Sequence, residues 1–544
     1  MTAIALAIPV LIQLGVPAIQ SDQPRLFDGL GRHSRKITTT SAEAQKYFDQ
    51  GLRLLYGFNH GEALRSFTEA AQLDPKSPMA WWGVAMAHGP HINYPILPPD
   101  GAKAASLAIR KAKALSARAG RVERALIDAA LKRYVYPQPD DRSPLDRAFA
   151  GAMRAVWKSH PRDTDVGTIF AESMMDLRPW DLWKPDGTPQ PGTPEVVRTL
   201  EAVLKLDPKH PGAVHFYIHA VEASLTPDRA VPAADNLRRL QPSSGHMSHM
   251  PSHIDVRTGQ WGKAILSNER AIEADNAYRA IRPRLGLYRV YMAHNHHMLS
   301  LAAMMLGQSE KAIRAIDDLV ANVPEDWARE NAPFIDGFMA MPIEVRKRFG
   351  KWDEVLATPE LPDYFPVARA MRRAGRSVAF AAKSDAKGAR AEQSLFYAAR
   401  KKVPAQGFVG NNSADKIMKV AAHLMNGEIL MAEDRWDDAC AELRLAVAAE
   451  DDLRYSEPPD WIVPTRHTLG AVLLKSMRYD EAEEVYREDL RRLPNDGWAL
   501  YGLIKTLEAR SKTAEARRVK AKFDTLWADA DIEITSSCMC LPGG

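Results

Sequence analysis

The chain has 544 residues, of which 26% are charged and 46% hydrophobic, and its formal net charge is +4. This length exceeds one compact core, so the chain forms either several domains or an extended repeat array. Basic and acidic residues are interspersed, which argues against a nucleic-acid-binding protein. With three cysteines, the fold cannot depend on a disulfide framework.

The first residues of the chain differ from the rest. Residues 3–19 are almost all apolar, and Val16-Pro17-Ala18 offers small residues to a signal peptidase. The pattern predicts a signal peptide over 1–22 and a periplasmic or secreted protein, although no Lys or Arg precedes the apolar run. If the segment is not a signal, the protein is cytoplasmic. No later segment is apolar enough over a sufficient length to span a bilayer, so we predict no transmembrane segment.

Helical repeats begin at residues 45–75. Small, aromatic and proline residues stand there at the spacing of a tetratricopeptide (TPR) helix pair, namely Tyr47, Gly51, Leu54, Ala63, Phe67, Ala70 and Pro75. Small residues let the two helices approach, the aromatic ring fills the space between them, and proline ends the second helix. The segment resembles the TPR family in spacing as well as in residue type.

Weaker copies of this pattern cover most of residues 41–530. We therefore predict an all-α fold, a right-handed TPR-like α-solenoid of about nine to eleven helix pairs with irregular loop insertions. The predicted loops cover 90–101, 178–194 and 276–289. The predicted organisation is N-terminal repeats over 41–177, His-rich central repeats over 195–350, C-terminal repeats over 351–530 and a Cys-containing tail over 531–544.

Several strings strengthen the resemblance: YFDQGLRLLYGFNH, MAWWG, RPWDLW, HMPSHI, EPPDW and SSCMC. Together they resemble long bacterial TPR proteins of unassigned activity that carry HMPSHI and C-terminal SSCxC motifs. The resemblance implies the solenoid and no particular activity. It also implies that positions 2, 5, 9 and 12 of the first helix of each pair line a concave groove.

Histidines occupy those groove positions in three successive central repeats. His215 and His219 precede His249 and His253 by 34 residues, which is the length of one TPR helix pair. The i, i+4 step places both rings of each pair on one helix face. The full predicted metal-ligand set is His215, His219, His246, His249, His253, His294 and His297.

Neutral imidazole is a ligand for zinc, copper, nickel and iron, and a catalytic centre needs about three protein ligands and an open position. Seven histidines exceed that need. Either two metals bind, or one binds and the remaining histidines transfer protons together with Glu222, the predicted catalytic carboxylate. Copper is favoured over zinc or iron because Met247 and Met250 are interleaved with the histidines and the Cys-x-Cys tail is soft.

The functional hypotheses come from three classes. The first is a metal-dependent redox or hydrolytic enzyme acting on a small molecule. The second is a TPR interaction scaffold whose groove histidines contact a partner peptide, and the third is a metal store or chaperone.

Pro251 predicts a kink or a new helix start between His249 and His253. Cys538 and Cys540 form a dithiol, a metal ligand or part of a disordered tail.

Overall fold

The computed structural model describes residues 23–283 and 285–541. Within these ranges the chain is helical, apart from loops and one antiparallel hairpin of two-residue strands, β1 (Phe408–Val409) and β2 (Asn412–Ser413). The predicted all-α solenoid is confirmed. The predicted signal peptide over 1–22 lies outside the described residues. Among the described helices, none is long and apolar enough to cross a membrane.

The helices follow one another as stacked pairs along most of the described chain. The N-terminal helices are α1 (Ala42–Tyr56), α2 (His60–Leu73), α3 (Pro78–Ala87), α4 (Pro99–Leu115), α5 (Arg121–Ala130), α6 (Ser143–Ser159) and α7 (Thr164–Met175). The central helices are α8 (Thr193–Leu206), α9 (Pro211–Val221), α10 (Val231–Leu237), α11 (Gly245–His249), α12 (Pro251–Arg257), α13 (Trp261–Ile281), α14 (Tyr288–Met305) and α15 (Ser309–Ala321).

The C-terminal helices begin with a group of short segments and continue as regular pairs. They are α16 (Glu325–Glu330), α17 (Ala332–Ile335), α18 (Met341–Arg348), α19 (Trp352–Ala357), α20 (Pro366–Ala382), α21 (Ala386–Arg400), α22 (Ala414–Ala432), α23 (Trp436–Asp451), α24 (Thr465–Lys475), α25 (Tyr479–Arg492), α26 (Gly497–Ala509) and α27 (Thr513–Leu526). Short 3-10 turns cover Ser116–Arg118, Pro227–Ala230 and Asp336–Ala340.

The first helix pair shows why the sequence folds in this way. Side chains of Ser41 and Asn59 accept backbone N–H groups at the starts of α1 and α2, which stabilises both helix N-termini. The ring of Phe67 lies between Gly51 of α1 and Gly83 of α3, and a methyl group on either glycine would collide with it. The small residues of the TPR pattern therefore serve close helix packing.

Pro251 divides one helix of the central repeats into two parts, as its position predicts. The first part, α11, ends at His249, and α12 starts at Pro251 itself. Met250 between them keeps α-helical dihedral angles, with φ −50° and ψ −36°. The two parts therefore follow each other directly, and both His249 and His253 belong to helical segments.

One loop prediction needs correction. Most of the predicted loop over 276–289 is helical, because α13 extends to Ile281 and α14 begins at Tyr288. The helix continues because no proline or glycine occurs before Pro283. Gly192 precedes α8 with φ 94°, and Thr193 is the first helical residue.

The repeat array closes on itself, whereas repeats of an open solenoid contact only their neighbours. The Trp261 ring N–H donates to the Pro494 carbonyl at 3.0 Å, and the Asn495 amide donates to the Gly259 carbonyl at 2.9 Å. The Trp498 ring N–H donates to the Met304 carbonyl at 2.8 Å. The C-terminal helices thereby cover part of the central repeats, and the expected open groove becomes an interior.

Two large hydrophobic cores meet where this interior forms. The N-terminal core extends in sequence from Leu30 to Ile254, and the C-terminal core extends from Val256 to Cys540. Ile254 and Val256 both belong to α12, so this helix contributes to both cores. Side chains on α12 therefore lie at the junction of the two halves of the array.

The packing of Phe67 gives a prediction about stability. Gly83→Ala should lower the free energy of unfolding by about 1–3 kcal/mol, because the added methyl group overpacks the space beside the ring. Gly151→Ala in α6 is the matched control. Nothing lies within 4 Å of a methyl group there, so this change should raise stability by about 0.5–1 kcal/mol. Thermal melting that shows equal shifts for both variants would contradict the assignment.

Candidate metal centre

Six of the seven predicted histidines converge in the interior. Helix α9 carries His215 and His219, α11 and α12 carry the next three, and α14 carries the last. They form two trios, each with its ligand atoms within 4.8 Å of one another: the first trio is His215, His219 and His246, and the second trio is His249, His253 and His294. The predicted convergence of these residues is confirmed.

His297, the seventh predicted ligand, has a different environment. Its ring packs edge-on against Phe338 with 5.6 Å between ring centroids. It lies three residues beyond His294 on α14, almost one helical turn further along the axis. The interval in sequence from His249 and His253 to the histidines of α14 is longer than one repeat, because α13 is 21 residues long. This extra length changes the register, so that His294 faces the second trio, 4.6 Å from the His249 ring.

Glu222 lies between the two trios and contacts both. Its carboxylate accepts a hydrogen bond from Nδ1 of His219 at 2.8 Å, and its other oxygen accepts one from Nδ1 of His253. Burial opposes ionisation, but the two histidines lower the pKa of Glu222 to about 2. The carboxylate therefore stays charged, and it holds two rings in position instead of exchanging a proton near neutral pH. The catalytic role that the sequence predicts for Glu222 stays a prediction.

Two further histidines have their Nδ1 atoms held by the protein. Nδ1 of His215 donates to the backbone carbonyl of Tyr56 at 2.6 Å. Nδ1 of His249 donates to Oδ1 of Asn268 at 2.6 Å, and the Asn268 amide nitrogen donates in turn to the Ala264 carbonyl. Because the Asn268 nitrogen donates to Ala264, the oxygen of the same amide faces His249. Metal-binding histidines are held in this way, with the other ring nitrogen left for the metal.

The free ring nitrogens face one another at the spacing of metal ligands. Nε2 of His215 lies 3.1 Å from Nε2 of His246, and Nε2 of His249 lies 2.7 Å from Nε2 of His253. Two ligands that bind one ion at about 2.0–2.1 Å in tetrahedral geometry are about 3.3 Å apart. Because Nδ1 donates in both His249 and His253, a shared proton or a bound cation is needed between their Nε2 atoms. Burial lowers the pKa of His253, but Glu222 raises it above the ordinary value, so a proton serves when no metal is bound.

Other atoms of the cluster also lack partners. Nε2 of His219 and Nδ1 of His246 are buried and make no hydrogen bond. An unpaired buried polar atom is costly, and coordination to a metal would satisfy it. Burial, together with the neighbouring rings, moves the pKa of His246 and of His294 well below the ordinary value. Both rings are therefore neutral, which is the form that binds metals. The residues of this site fit a metal centre.

Aromatic residues from distant repeats surround the first trio. Phe58, in the turn between α1 and α2, adopts a left-handed conformation with φ 55°. This conformation is uncommon for a residue with a side chain. It places the Phe58 ring centroid 4.6 Å from the His215 ring centroid. Tyr291 lies at the same distance from the His246 ring. From the sequence, Phe58 is typical of a residue in the turn between two helices. Its contact with the histidines arises only because the first helix pair packs against α9.

A pocket opens beside His219 and Glu222. Its walls are mostly apolar or aromatic, and its lining consists of Ile92, Met175, Arg178, Trp180, Leu182, Trp183, His219, Glu222, Ala223 and Tyr455. The Trp180 ring approaches the His219 ring edge-on at 5.3 Å. The RPWDLW string therefore forms one wall of this pocket, and His219 of the first trio lies in its lining.

Tyr455 and Glu457 reach the site from the C-terminal repeats. The Tyr455 hydroxyl donates to Glu457 at 2.5 Å and lies 3.4 Å from a carboxylate oxygen of Glu222. Burial raises the pKa of Glu457 to about 7. The EPPDW string is typical of a helix start, and nothing in its pattern indicates this contact, because it exists only through closure of the array.

Two other histidine clusters pair with carboxylates. Asp165 accepts hydrogen bonds from His33 at 2.9 Å and from His210 at 3.1 Å, and Nδ1 of His210 accepts the Ala213 N–H. His467 is paired with Asp489 and Asp496, and the two carboxylates raise its pKa to about 9 against the effect of burial. A protonated histidine is not a metal ligand.

Comparisons with known proteins add little. No family model and no curated protein matches the chain. Among solved structures, the human IFIT1 dimer with m7Gppp-AAAA is 13% identical, with a TM-score of 0.33 and coverage of 91% of this chain and 92% of that chain. Yeast Tom70 is 11% identical, with a TM-score of 0.27 and coverage of 87% and 90%. Similarity at this level transfers no binding property to this chain.

The position of Asn268 gives a prediction about metal affinity. Asn268→Ala removes the acceptor that orients His249, so metal affinity should fall about 10- to 100-fold. Asn236→Ala is the control, because the Asn236 amide contacts the Pro208 carbonyl and none of the trio residues. Competition with a chelator measures both affinities. Equal affinities in the two variants would show that His249 does not bind metal.

Proposed function

We propose that the protein is a copper-dependent oxidoreductase in which each trio holds one metal ion. The observation that carries the proposal is the pairing of Nε2 atoms at 2.7 and 3.1 Å among four histidines, of which His215, His249 and His253 have Nδ1 held by another group. Each trio supplies three imidazoles, which is the ligand number of a catalytic site with an open position. The two trios share Glu222, so the two sites are neighbours.

The choice of copper rests on the ligand type. Both trios contain imidazole only, and among divalent ions copper binds nitrogen sites most tightly, whereas non-heme iron sites usually include a carboxylate. Met247 and Met250 do not support copper, because both are fully buried in the N-terminal core. When bound, two adjacent copper ions would supply one-electron redox chemistry and a place for oxygen.

The residues of this chain have separate roles in that function. Glu222, Asn268 and the Tyr56 carbonyl hold four of the six rings in their orientations. The pocket walls exclude water and favour a flat apolar molecule, which Trp180 and Trp183 can orient. Glu457 can accept a proton through the Tyr455 hydroxyl, because its pKa lies near neutrality. These features favour a small phenol-like reductant as the substrate.

Two alternatives are less well supported. A TPR scaffold would bind a peptide through its groove histidines, but five of the six are at most 6% exposed. A peptide could not reach them without opening the array. A metal store or chaperone remains the third hypothesis, and absence of turnover by the metal-loaded protein would favour it.

The proposal predicts the metal content. Protein purified without a histidine tag and loaded with Cu²⁺ should retain two equivalents per chain after desalting. His215→Ala/His246→Ala and His249→Ala/His294→Ala should each retain one equivalent, because each removes one trio. His160→Ala, whose ring contacts a backbone carbonyl away from the site, should retain two. One equivalent in the unmodified protein would contradict the two-metal site, and none would contradict metal binding.

The proposal also predicts turnover. Copper-loaded protein should consume oxygen when catechol is added, whereas the zinc-loaded protein should not, because zinc has no redox chemistry. Trp180→Ala should raise the KM for catechol several-fold and leave metal content unchanged. Trp81→Ala, on another part of the array, is the control. No oxygen uptake by protein with two bound copper ions, whatever the phenolic reductant, would contradict the oxidoreductase assignment.

A further inference from the structure

The C-terminal tail is an ordered part of the fold, well connected to the C-terminal repeats. The Ser537 hydroxyl contacts the Tyr486 hydroxyl at 2.7 Å and donates to the His467 carbonyl at 2.8 Å. Arg348 donates to the Ser537 carbonyl at 3.3 Å. The hypothesis of a disordered tail is therefore wrong for the described residues up to 541. These contacts lie in α18, α24 and α25, so the tail does not supply ligands to the histidine trios.

This docking buries two cysteines beside one carboxylate. Cys538 and Cys540 are 7% and 4% exposed, and their sulfur atoms are bonded as a disulfide. A carboxylate oxygen of Glu428 and the two sulfurs lie within 4.8 Å of one another. The tail thus closes a compact three-ligand cluster against α22.

The surroundings suit negatively charged sulfur. The Cys540 backbone N–H lies 3.0 Å from the Cys538 sulfur, and the Thr468 hydroxyl lies 3.6 Å from it. Both groups can donate to a thiolate, and such bonds are typical around metal-bound cysteine. The buried side chain of Arg348 adds a positive charge beside the tail.

One carboxylate oxygen of Glu428 lacks a hydrogen-bond partner. Its Oε2 atom is buried and makes no hydrogen bond, and the residue is 4% exposed. The pKa of this carboxyl is raised to about 8, chiefly by burial, while Lys347 lowers it and Glu344 raises it. A buried carboxylate without a donor is unfavourable, and a bound cation would compensate for it.

We propose that reduced Cys538 and Cys540, together with Glu428, form a further metal site for a thiophilic ion of the zinc type. A dithiol reductant first converts the disulfide into two thiols and is itself oxidised to a disulfide. The ion then binds both sulfurs and the carboxylate oxygen, and the two thiol protons pass to solvent together with the proton that Glu428 carries near neutral pH. Two thiolates select such ions over magnesium and calcium. The site is separate from the histidine trios and does not rest on the proposed function.

Cobalt distinguishes this site from the trios, because only sulfur-bound Co²⁺ shows thiolate-to-metal charge-transfer absorption. The full chain is reduced, shown to contain three thiols, freed of reductant without air and titrated with Co²⁺. We expect the absorption to reach the intensity of one sulfur-bound ion per chain and to vanish in Cys538→Ser/Cys540→Ser. Glu428→Gln should keep the absorption and weaken binding at least about tenfold.

Two controls separate the possible outcomes. Cys440→Ser should leave the absorption unchanged, because Cys440 is buried in α23 and is not part of the cluster. His249→Ala/His253→Ala should also leave it unchanged, even if those changes abolish copper binding at the trios. The proposal is overturned if no charge-transfer absorption appears, if it survives in the double serine variant, or if the folded chain cannot be reduced to three thiols.

Discussion

The carboxylate of Glu222 is the group on which the histidine site depends, because it accepts hydrogen bonds from rings on two different helices. One oxygen holds His219 of α9 and the other holds His253 of α12. Removing this charge would leave both rings free to rotate and their Nε2 atoms without a defined direction. A buried carboxylate requires compensating positive charge or hydrogen bonds. The protein provides these through the same histidines that the proposed metals would use.

Closure of the repeat array provides the second constraint. Contacts between the turn before α13 and the residues around Pro494 join parts of the chain that are more than 230 positions apart. They turn a concave surface into an interior, which keeps bulk water away from most of the cluster. They also bring Tyr455 to within hydrogen-bonding distance of Glu222, across a separation of 233 residues. In this protein the repeats supply the ligands, and closure supplies the pocket.

Much of the site could be predicted from the sequence, because a repeat places equivalent residues at equivalent positions. The interval of 34 residues and the i, i+4 steps identify His215, His219, His249 and His253. The choice between His294 and His297 could not be predicted, since it depends on the length of α13. Asn268 and Phe58 carry no local signal for their roles, because each contacts the site only through packing between helices. The copper preference drawn from the methionines is not supported, since both pack in the core.

The most direct test of the two-metal site is a crystal structure of the copper-loaded protein with anomalous scattering measured at the copper absorption edge. The account predicts two peaks, one within about 2.0–2.2 Å of the free ring nitrogens of His215, His219 and His246, and the other at the same distance from His249, His253 and His294. Glu222 should stay on the Nδ1 side of its two histidines. A single peak, or copper bound directly to Glu222 with the trios empty, would contradict it.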